Sequence, residues 1–285
     1  MTEKRKISLI ALDLDGTTLK DDKSISRETR NAVWDAVRAG IQVVIASGRS
    51  CSSLPESVLS IPGIEYAVTS NGAAVYRLAD GACIRRVTLD PAAVDGILRL
   101  TEGRTLGIEA FLEGVPYALR AYVEDPLRFG AMPYAVSYIQ STRKPVEDIR
   151  KFIKEHRESL DGIDLIVKDE EERGKIRRRL EKSGLPLYLT SSVKNRIETA
   201  SPEAGKAAAL KYLQDMLGIS AEETAAFGDA DNDIDMLRAA GIGIAVENAS
   251  PGCREAADYI TKSNREDGVA FAIRKILEIP GKGTR

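Results

Sequence analysis

Cysteine and histidine are scarce in this chain of 285 residues, which contains three cysteines and one histidine. The cysteines Cys51, Cys83 and Cys253 are scattered, odd in number and without CxxC spacing, so a disulfide framework or a zinc site is not indicated. We therefore expect a reducing, cytoplasmic environment. The histidine, His156, lies in the charged segment KFIKEHRESL. We expect it to be solvated, and no histidine-dependent mechanism is indicated.

The chain also lacks an excess of charge and long apolar runs. Its 41 basic and 43 acidic residues give a net charge of −2, so neither nucleic acid nor an anionic membrane is an expected partner. No apolar run approaches the roughly 20 residues that span a bilayer. The first run, Ile7–Leu12, follows basic residues as in a signal peptide, but it is too short for one and predicts a buried strand.

What the sequence does contain is an alternation of apolar strands and helices at both ends. The segment 7–15 predicts a buried strand, 26–40 a helix that begins at a serine cap, and 41–48 a second strand. Near the C-terminus, 201–218 predicts a helix and 224–229 a strand. Repeated strand–helix–strand units predict an α/β fold with a doubly wound parallel sheet.

The middle of the chain has a different pattern, with hairpin signals and highly charged helices at 146–159 and 169–183. We interpret it as an α+β segment that interrupts the α/β chain. The predicted boundaries are 83–190 for this insert and 1–82 with 191–285 for a discontinuous core.

Two aspartates, Asp13 and Asp15, follow the first apolar run two positions apart. Alternation along a strand puts both on one side if the strand persists that far, and Gly16 permits a sharp turn after them. Carboxylates beside an apolar core are costly unless another group compensates their charge. An ordinary Asp-Gly turn is the alternative, but it leaves Asp13 without a role.

A second polar segment, Ser47-Gly48-Arg49, directly follows the second strand. A hydroxyl, backbone amides and a guanidinium group suit a phosphate group, and ligands of doubly wound sheets bind at the carboxyl ends of the strands. These three residues are therefore candidate phosphate contacts. The alternative is a loop in which Ser47 only caps the next helix.

Lys206 stands near the start of a predicted helix, after Gly205. A lysine at this end opposes the helix dipole, which favours another role, such as pairing with clustered aspartates or with phosphate. A solvated surface lysine is the alternative. A P-loop is excluded, because Ala200 stands where its first glycine is required.

The segment GDADNDIDM at 228–236 concentrates acidic residues after an apolar strand, and few basic residues are near it. A divalent cation with oxygen ligands would relieve their repulsion, and Mg²⁺ suits a site with few carboxylates and retained waters. Asp229 and Asp233 are the candidate ligands. The segment lacks the glycine and the final glutamate of a calcium loop. A solvated helix start with spare acidic residues is the alternative.

Together and in this order, the four segments resemble the signature motifs of the haloacid dehalogenase superfamily of phosphatases. The long insert, with SNGA at 70–73, is similar to the Cof-like branch, whose cap is an α/β insert in that place. The resemblance extends over the whole chain and implies a Rossmann-like core with an inserted cap. One departure is SPEAGK at 201–206, where such proteins often carry a Gly-x-Ser/Asn-Lys-Gly turn.

The resemblance also implies roles for individual residues. Asp13 would attack phosphorus to form an aspartyl phosphate, and Asp15 would act as general acid and then as general base. Mg²⁺ would be held by the Asp13 carboxylate, the Asp15 backbone carbonyl and Asp229. Asp233 would support the metal or orient Lys206.

Ser47 and Lys206 would stabilise charge on the phosphoryl oxygens, as the resemblance implies. Arg49, Asn71 and Asn232 are further candidates for contacts with substrate, with ordinary loop hydrogen bonds as the alternative.

The predicted function is a Mg²⁺-dependent phosphatase of small phosphorylated metabolites, with sugar phosphates as the expected class. A phosphomutase of the same superfamily and a non-catalytic sensor of phosphorylated metabolites are the alternatives. Asp15 argues against the sensor, because a static binder has no use for an acid–base group. We expect a monomer or weak homodimer whose partner is a small-molecule phosphate ester.

Overall fold

The structure, a computed structural model, describes residues 6–275 and 278. By their contacts these residues form two units. The first unit contains the described residues up to Gly48, the segment Leu54–Ile84, and the described residues from Gly205 onward. The second unit contains Arg49–Ser53 and Arg85–Ala204.

The strands of the described residues are β1 Leu9–Leu12, β2 Gln42–Ala46, β3 Ile64–Thr69, β4 Ala74–Arg77, β5 Ala82–Arg86, β6 Gly107–Leu112, β7 Val115–Leu119, β8 Lys144–Val146, β9 Leu160–Ile166, β10 Tyr188–Thr190, β11 Arg196–Ala200, β12 Thr224–Gly228, β13 Ile242–Val246 and β14 Tyr259–Thr261. The α-helices are α1 Arg27–Arg38, α2 Glu56–Leu59, α3 Pro91–Leu100, α4 Arg120–Glu124, α5 Val136–Thr142, α6 Ile149–Glu155, α7 Glu170–Glu181, α8 Lys206–Leu217, α9 Ile234–Ala239, α10 Pro251–Ala256 and α11 Gly268–Lys275.

The larger sheet has eight strands in the order β14-β13-β12-β1-β2-β3-β4-β5. The six strands from β14 to β3 pair in parallel, and β4 is antiparallel to β3. Because β1 lies between β12 and β2, the first strand of the chain occupies the middle of the parallel region. Its carboxyl end is therefore flanked on both sides by the carboxyl ends of other strands.

Alternation along β1 explains how both faces of this sheet are covered. Leu9 and Ala11 pack in a core cluster with residues of α8, α9 and α10, whereas Ile10 and Leu12 pack in a second cluster with residues of α1 and α11. Helices on both faces of a parallel sheet define the doubly wound arrangement. The predicted α/β fold class is confirmed.

The smaller sheet has six strands in the order β10-β11-β9-β6-β7-β8 and is antiparallel except between β7 and β8. Helices α3, α6 and α7 contribute residues to the core cluster that also contains Ile108, Ile163 and Ile197 of β6, β9 and β11. Within the described residues, no helix is both long and apolar enough to cross a membrane.

The predicted end of the insert, residue 190, is corrected by this pairing. Strand β11 pairs with β9 and with β10 in the smaller sheet, so the second unit continues through Ala204. The segment Arg49–Ser53 also belongs to the second unit, where the Ser52 amide donates a hydrogen bond to the Gly114 carbonyl at 3.1 Å.

Three acidic residues lie side by side on neighbouring strands of the smaller sheet. In the sheet register, Asp164 of β9 is paired with Glu109 of β6 on one side and with Glu198 of β11 on the other. All three are buried. The Arg143 guanidinium donates to Glu109 at 2.6 Å, and that of Arg196 donates to Asp164 at 3.0 Å. Burial alone would raise the pKa of Glu109, but the charges of Arg143 and Arg196 outweigh it and hold that pKa below its ordinary value.

We expect Glu109→Gln to lower the free energy of unfolding by about 3 kcal/mol, because it leaves the buried Arg143 charge uncompensated. The matched control is Glu147→Gln in the exposed pair with Arg120, where the expected loss is below about 1 kcal/mol. Urea denaturation of both variants measures the difference. Equal losses would contradict a stabilising role for the buried pair.

Candidate active site

Polar residues follow three neighbouring strands of the larger sheet at the same edge. In the sheet register, Leu12 of β1 is level with Ile45 of β2 and Phe227 of β12. Asp13 directly follows β1, and its backbone amide donates to the Phe227 carbonyl at 3.1 Å. Segments that the sequence separates widely are thereby brought together, because parallel strands end at a common edge.

Lys206 is the first residue of α8, after Gly205, whose φ of +109° favours glycine. Its Nζ donates to Asp13 Oδ1 at 2.7 Å and to Asp233 Oδ1 at 2.6 Å, and its side chain is 0% exposed. Burial lowers the pKa of Lys206, but the charges of Asp13 and Asp233 outweigh this effect and raise that pKa above its ordinary value. The lysine is therefore an ammonium ion held between two carboxylates.

Asp233 uses both of its oxygens within the first unit. Oδ1 accepts from Lys206, while Oδ2 accepts from the backbone amides of Asp229 and Ala230, both at 3.0 Å. The Asp233 backbone amide donates to the Ala230 carbonyl at 3.0 Å, within a 3₁₀ turn over Asp231–Asp233. The α-helix α9 begins directly after this turn, at Ile234.

Asp13 and Asp229 carry charge that the protein compensates only in part. Burial, together with the charge of Asp233, raises the pKa of Asp13 to about 6, against the opposing effect of the Lys206 charge. The pKa of Asp229 lies well above its ordinary value, because of burial and then the charge of Asp13. Carboxyl groups whose pKa values are raised in this way are typical of functional sites.

A divalent cation fits this donor set. One oxygen each from Asp13, Asp229 and Asp233 lie within 4.8 Å of one another. Asp13 Oδ2 is buried and has no hydrogen-bond partner among the described residues. Hard cations such as Mg²⁺ take carboxylate oxygens as ligands, so the residues present suit such an ion.

The chain turns sharply after Asp15. Gly16 has a φ of +86°, and a Cβ there would lie 2.4 Å from Asp229 Oδ2. The next residue, Thr17, donates its hydroxyl to Asp229 Oδ1 at 2.9 Å. The Asp15 side chain is 36% exposed and forms an ion pair with Lys23 at 2.9 Å. Asp13 and Asp15 thus have different surroundings, one buried and one partly solvated.

The candidate phosphate loop after β2 packs against the loop after β3. The Ser47 carbonyl accepts from the Asn71 amide at 3.3 Å, and a Cβ at Gly48 would lie 2.9 Å from Asn71 Oδ1. That oxygen accepts from Asn232 Nδ2 at 2.9 Å. Ser47, Asn71 and Asn232 are all buried. The structure therefore brings four of the predicted residues together in the first unit, namely Ser47, Gly48, Asn71 and Asn232.

Arg49 is the exception among the predicted site residues. Its contacts assign it to the second unit. There its guanidinium group lies 4.5 Å from the centre of the Tyr138 ring, and its Nη1 donates to the Ser53 carbonyl at 3.0 Å. The expected phosphate contact of Arg49 stays a prediction.

Sequence reasoning missed three residues that support the site. Thr17 bonds Asp229, and Thr18 donates its hydroxyl to the Asp13 carbonyl. Asn248, which follows β13, donates to the Gly16 carbonyl at 2.8 Å. The strand-end rule that selected Ser47 could have selected Asn248, whereas nothing in the local pattern distinguishes Thr17 or Thr18 from ordinary turn residues.

Comparison with known proteins agrees with this geometry. Residues 10–273 match the sequence profile of the haloacid dehalogenase-like hydrolases. The 5-amino-6-(5-phospho-D-ribitylamino)uracil phosphatase YcsE of Bacillus subtilis is 32% identical over 270 residues, which cover 94% of this chain and 95% of that protein. Phosphatase YwpJ of Bacillus subtilis is 32% identical over 290 residues, covering 95% and 100%.

A solved structure of a haloacid dehalogenase-like hydrolase from B. subtilis has a TM-score of 0.82 and 32% identity, covering 95% of this chain and 100% of that one. A parallel sheet with acidic residues and a lysine at its carboxyl edge, together with these matches, settles the class. The chain belongs to the haloacid dehalogenase-like hydrolase family. The family and the hydrolase class expected from the four segments are confirmed.

The loop after β3 constrains the position of Lys206 through two glycines. The Gly205 amide donates to the Asn71 carbonyl at 2.9 Å, and a Cβ at Gly72, whose φ is +88°, would lie 2.1 Å from the Gly205 carbonyl oxygen. A side chain at Gly72 would therefore displace Gly205, the residue that directly precedes α8.

We expect Gly72→Ala to lower the free energy of unfolding by about 3 kcal/mol, through backbone strain and overpacking. The control is Gly81→Ala, where φ is also positive at +69° but nothing lies within 4 Å. There the expected loss is about 1 kcal/mol, from strain alone. Chemical denaturation separates the two effects, and equal losses would show that the contact with Gly205 is unimportant.

Proposed function

We propose that this protein is a Mg²⁺-dependent phosphatase that hydrolyses small phosphorylated metabolites through an aspartyl-phosphate intermediate. The observation that carries the proposal is the state of Asp13. This buried carboxylate is bound through Oδ1 to Lys206, and its Oδ2 has no hydrogen-bond partner among the described residues. An aspartate in that state is oriented and has an oxygen available for chemistry.

Asp13 is the proposed nucleophile. Attack of its carboxylate on phosphorus forms an acyl phosphate and divides a difficult hydrolysis into two easier steps. The contact with Lys206 at 2.7 Å orients the carboxylate. As an ammonium ion, Lys206 also stabilises negative charge on the transferred phosphoryl group. Ser47 is the proposed second donor to that group.

The proposed metal site uses the carboxylates of Asp13 and Asp229 and the backbone carbonyl of Asp15. A bound Mg²⁺ supplies positive charge that allows an anionic nucleophile to approach an anionic substrate. Asp233 is proposed to support the site indirectly, because one of its oxygens binds Lys206 and the other binds the backbone amide of Asp229. It contributes by position and by its negative charge.

Asp15 is the proposed general acid and base. Its partial exposure of 36% suits proton exchange with substrate and water. Gly48, Asn71 and Asn232 are proposed to bind the phosphoryl group or to shape its loop, since they contact one another beside Ser47. The assignment of Arg49 to the same role, and the cytoplasmic location, stay predictions.

The substrate class is proposed from the chemistry and from the relatives. YcsE is named for a phosphate on a ribityl chain. A relative from Methanothermobacter thermautotrophicus, 28% identical over 270 residues, is named phosphoglycolate phosphatase. Both names describe a phosphate ester of a small hydroxylated molecule. We therefore propose a sugar phosphate or a related polyol phosphate.

A panel of phosphorylated metabolites, scored by kcat/KM and by release of free phosphate, tests this class. We expect sugar and polyol phosphates to be hydrolysed with the highest kcat/KM, with inorganic phosphate released in each turnover. Interconversion of hexose phosphates without release would instead identify a phosphomutase. Ligand binding with no turnover on any ester would identify a sensor.

We expect Asp13→Asn to lower kcat for p-nitrophenyl phosphate at least about 10⁴-fold, because the nucleophile is lost. The control Asp231→Asn replaces an exposed carboxylate of the same acidic segment, and its kcat is expected to stay within about twofold of the wild type. Steady-state kinetics measures both. Full activity in Asp13→Asn would overturn the covalent mechanism.

Removal of divalent cations with a chelator is expected to abolish turnover, and added Mg²⁺ to restore it. A ligand that binds only the folded state also raises its melting temperature, so Mg²⁺ is expected to raise the Tm of the wild type but not that of Asp229→Asn. Thermal unfolding gives this readout without an assay of activity. A Tm that Mg²⁺ leaves unchanged in the wild type would contradict the proposed metal site.

A further inference from the structure

Lys23 forms an ion pair with Asp15, with 2.9 Å between Nζ and Oδ1. We propose that Lys23 is a positioning residue that holds the Asp15 carboxylate for proton transfer to and from the leaving group. This inference rests on the proposed function, in which Asp15 is the acid–base residue. Lys23 itself need not touch the substrate.

The turn that carries Lys23 is closed by its own hydrogen bonds. The Lys20 amide donates to the Ser24 carbonyl and the Lys23 amide donates to the Lys20 carbonyl, both at 2.9 Å. The Asp22 carboxylate accepts from the Ser24 amide at 2.9 Å and from its hydroxyl at 2.6 Å. An isolated β-bridge between Asp15 and Leu19 connects the residue before this turn to the loop that contains Asp15. The turn is thus an ordered structure that returns the chain to Asp15.

The backbone of Lys23 is left-handed, with a φ of +67°. Glycine and asparagine accept this conformation more readily than lysine does. Stability of the fold does not explain why a lysine stands at this position. Both side chains of the ion pair are about one-third exposed, 34% for Lys23 and 36% for Asp15, and exposed pairs contribute little to folding. A strained backbone at a residue whose ion pair adds little to stability indicates a functional role for that residue.

Positioning has a direct consequence for a partly exposed acid–base group. In the first step, the Asp13 carboxylate forms a bond to phosphorus, the bond from phosphorus to the leaving oxygen breaks, and the proton of Asp15 passes to that oxygen. In the second step, Asp15 takes a proton from water, the water oxygen forms a bond to phosphorus, and the bond between Asp13 and phosphorus breaks, which releases phosphate and restores the Asp13 carboxylate. Both transfers need the Asp15 carboxyl group within hydrogen-bond distance of the reacting oxygen.

The test compares two classes of substrate. We expect Lys23→Met to lower kcat/KM about tenfold for an alkyl phosphate, as part of the ~10²- to 10⁴-fold that positioned proton transfer contributes. For p-nitrophenyl phosphate, whose leaving oxygen is weakly basic and needs little protonation, the expected loss is below about threefold. Lys23→Arg retains a cation and is expected to restore most of the activity towards the alkyl phosphate.

The matched control is Lys20→Met. Lys20 lies in the same turn, is 36% exposed and pairs with Asp267 at 3.8 Å. The kcat/KM of the Lys20→Met variant is expected to equal that of the wild type for both substrates. Thermal unfolding of each variant shows whether the turn stays folded.

A double variant tests whether Lys23 acts through Asp15. We expect Lys23→Met to have no further effect on kcat/KM in an Asp15→Asn background, because the group that it positions is already lost. A further loss there, equal losses for the two substrates, or an unchanged kcat/KM in Lys23→Met would each overturn the proposal. A wild type that hydrolyses no phosphate ester would instead refute the proposed function.

Discussion

The structure of the candidate active site depends on one buried ammonium group, that of Lys206. A lysine with a side chain that is 0% exposed is tolerable only because Asp13 and Asp233 compensate its charge. The carboxylates depend on the lysine in the same way. Three of them meet at the edge of the sheet, and Lys206 is the cation bonded to two of them. The end of β1, the start of α8 and the turn before α9 are therefore interdependent, and none of them can be changed without exposing an uncompensated charge in the other two.

Much of this centre could be predicted, because the relevant signals are local. A polar residue directly after an apolar run marks a strand end, and parallel strands end together, so Asp13, Ser47 and Asp229 could be assigned to one edge before any contact was known. Lys206 was detectable because a lysine at the start of a helix is electrostatically unfavourable on its own. The partners that make it favourable are the groups selected at the strand ends.

The features that sequence reasoning missed depend on pairing or on detailed geometry. A local pattern does not say which sheet a strand joins, and the pairing of β11 with β9 puts the end of the second unit at Ala204 and not at the predicted residue 190. Arg49 follows Gly48 directly, yet its side chain stacks on Tyr138 in the other unit. The Asp233 side chain accepts from two backbone amides at the turn before α9. Such contacts are set by tertiary structure, which local patterns do not encode.

The bond between Asp13 and Lys206 joins residues 193 positions apart, and the bond between Thr17 and Asp229 joins residues 212 apart. During synthesis the N-terminal aspartates leave the ribosome long before their partners, and nearly all of the second unit, Arg85–Ala204, is translated in between. Domains generally fold as units while the chain grows. The inserted unit can therefore fold before all residues of the candidate active site have been made, so this site forms as one of the last events of the protein's biosynthesis.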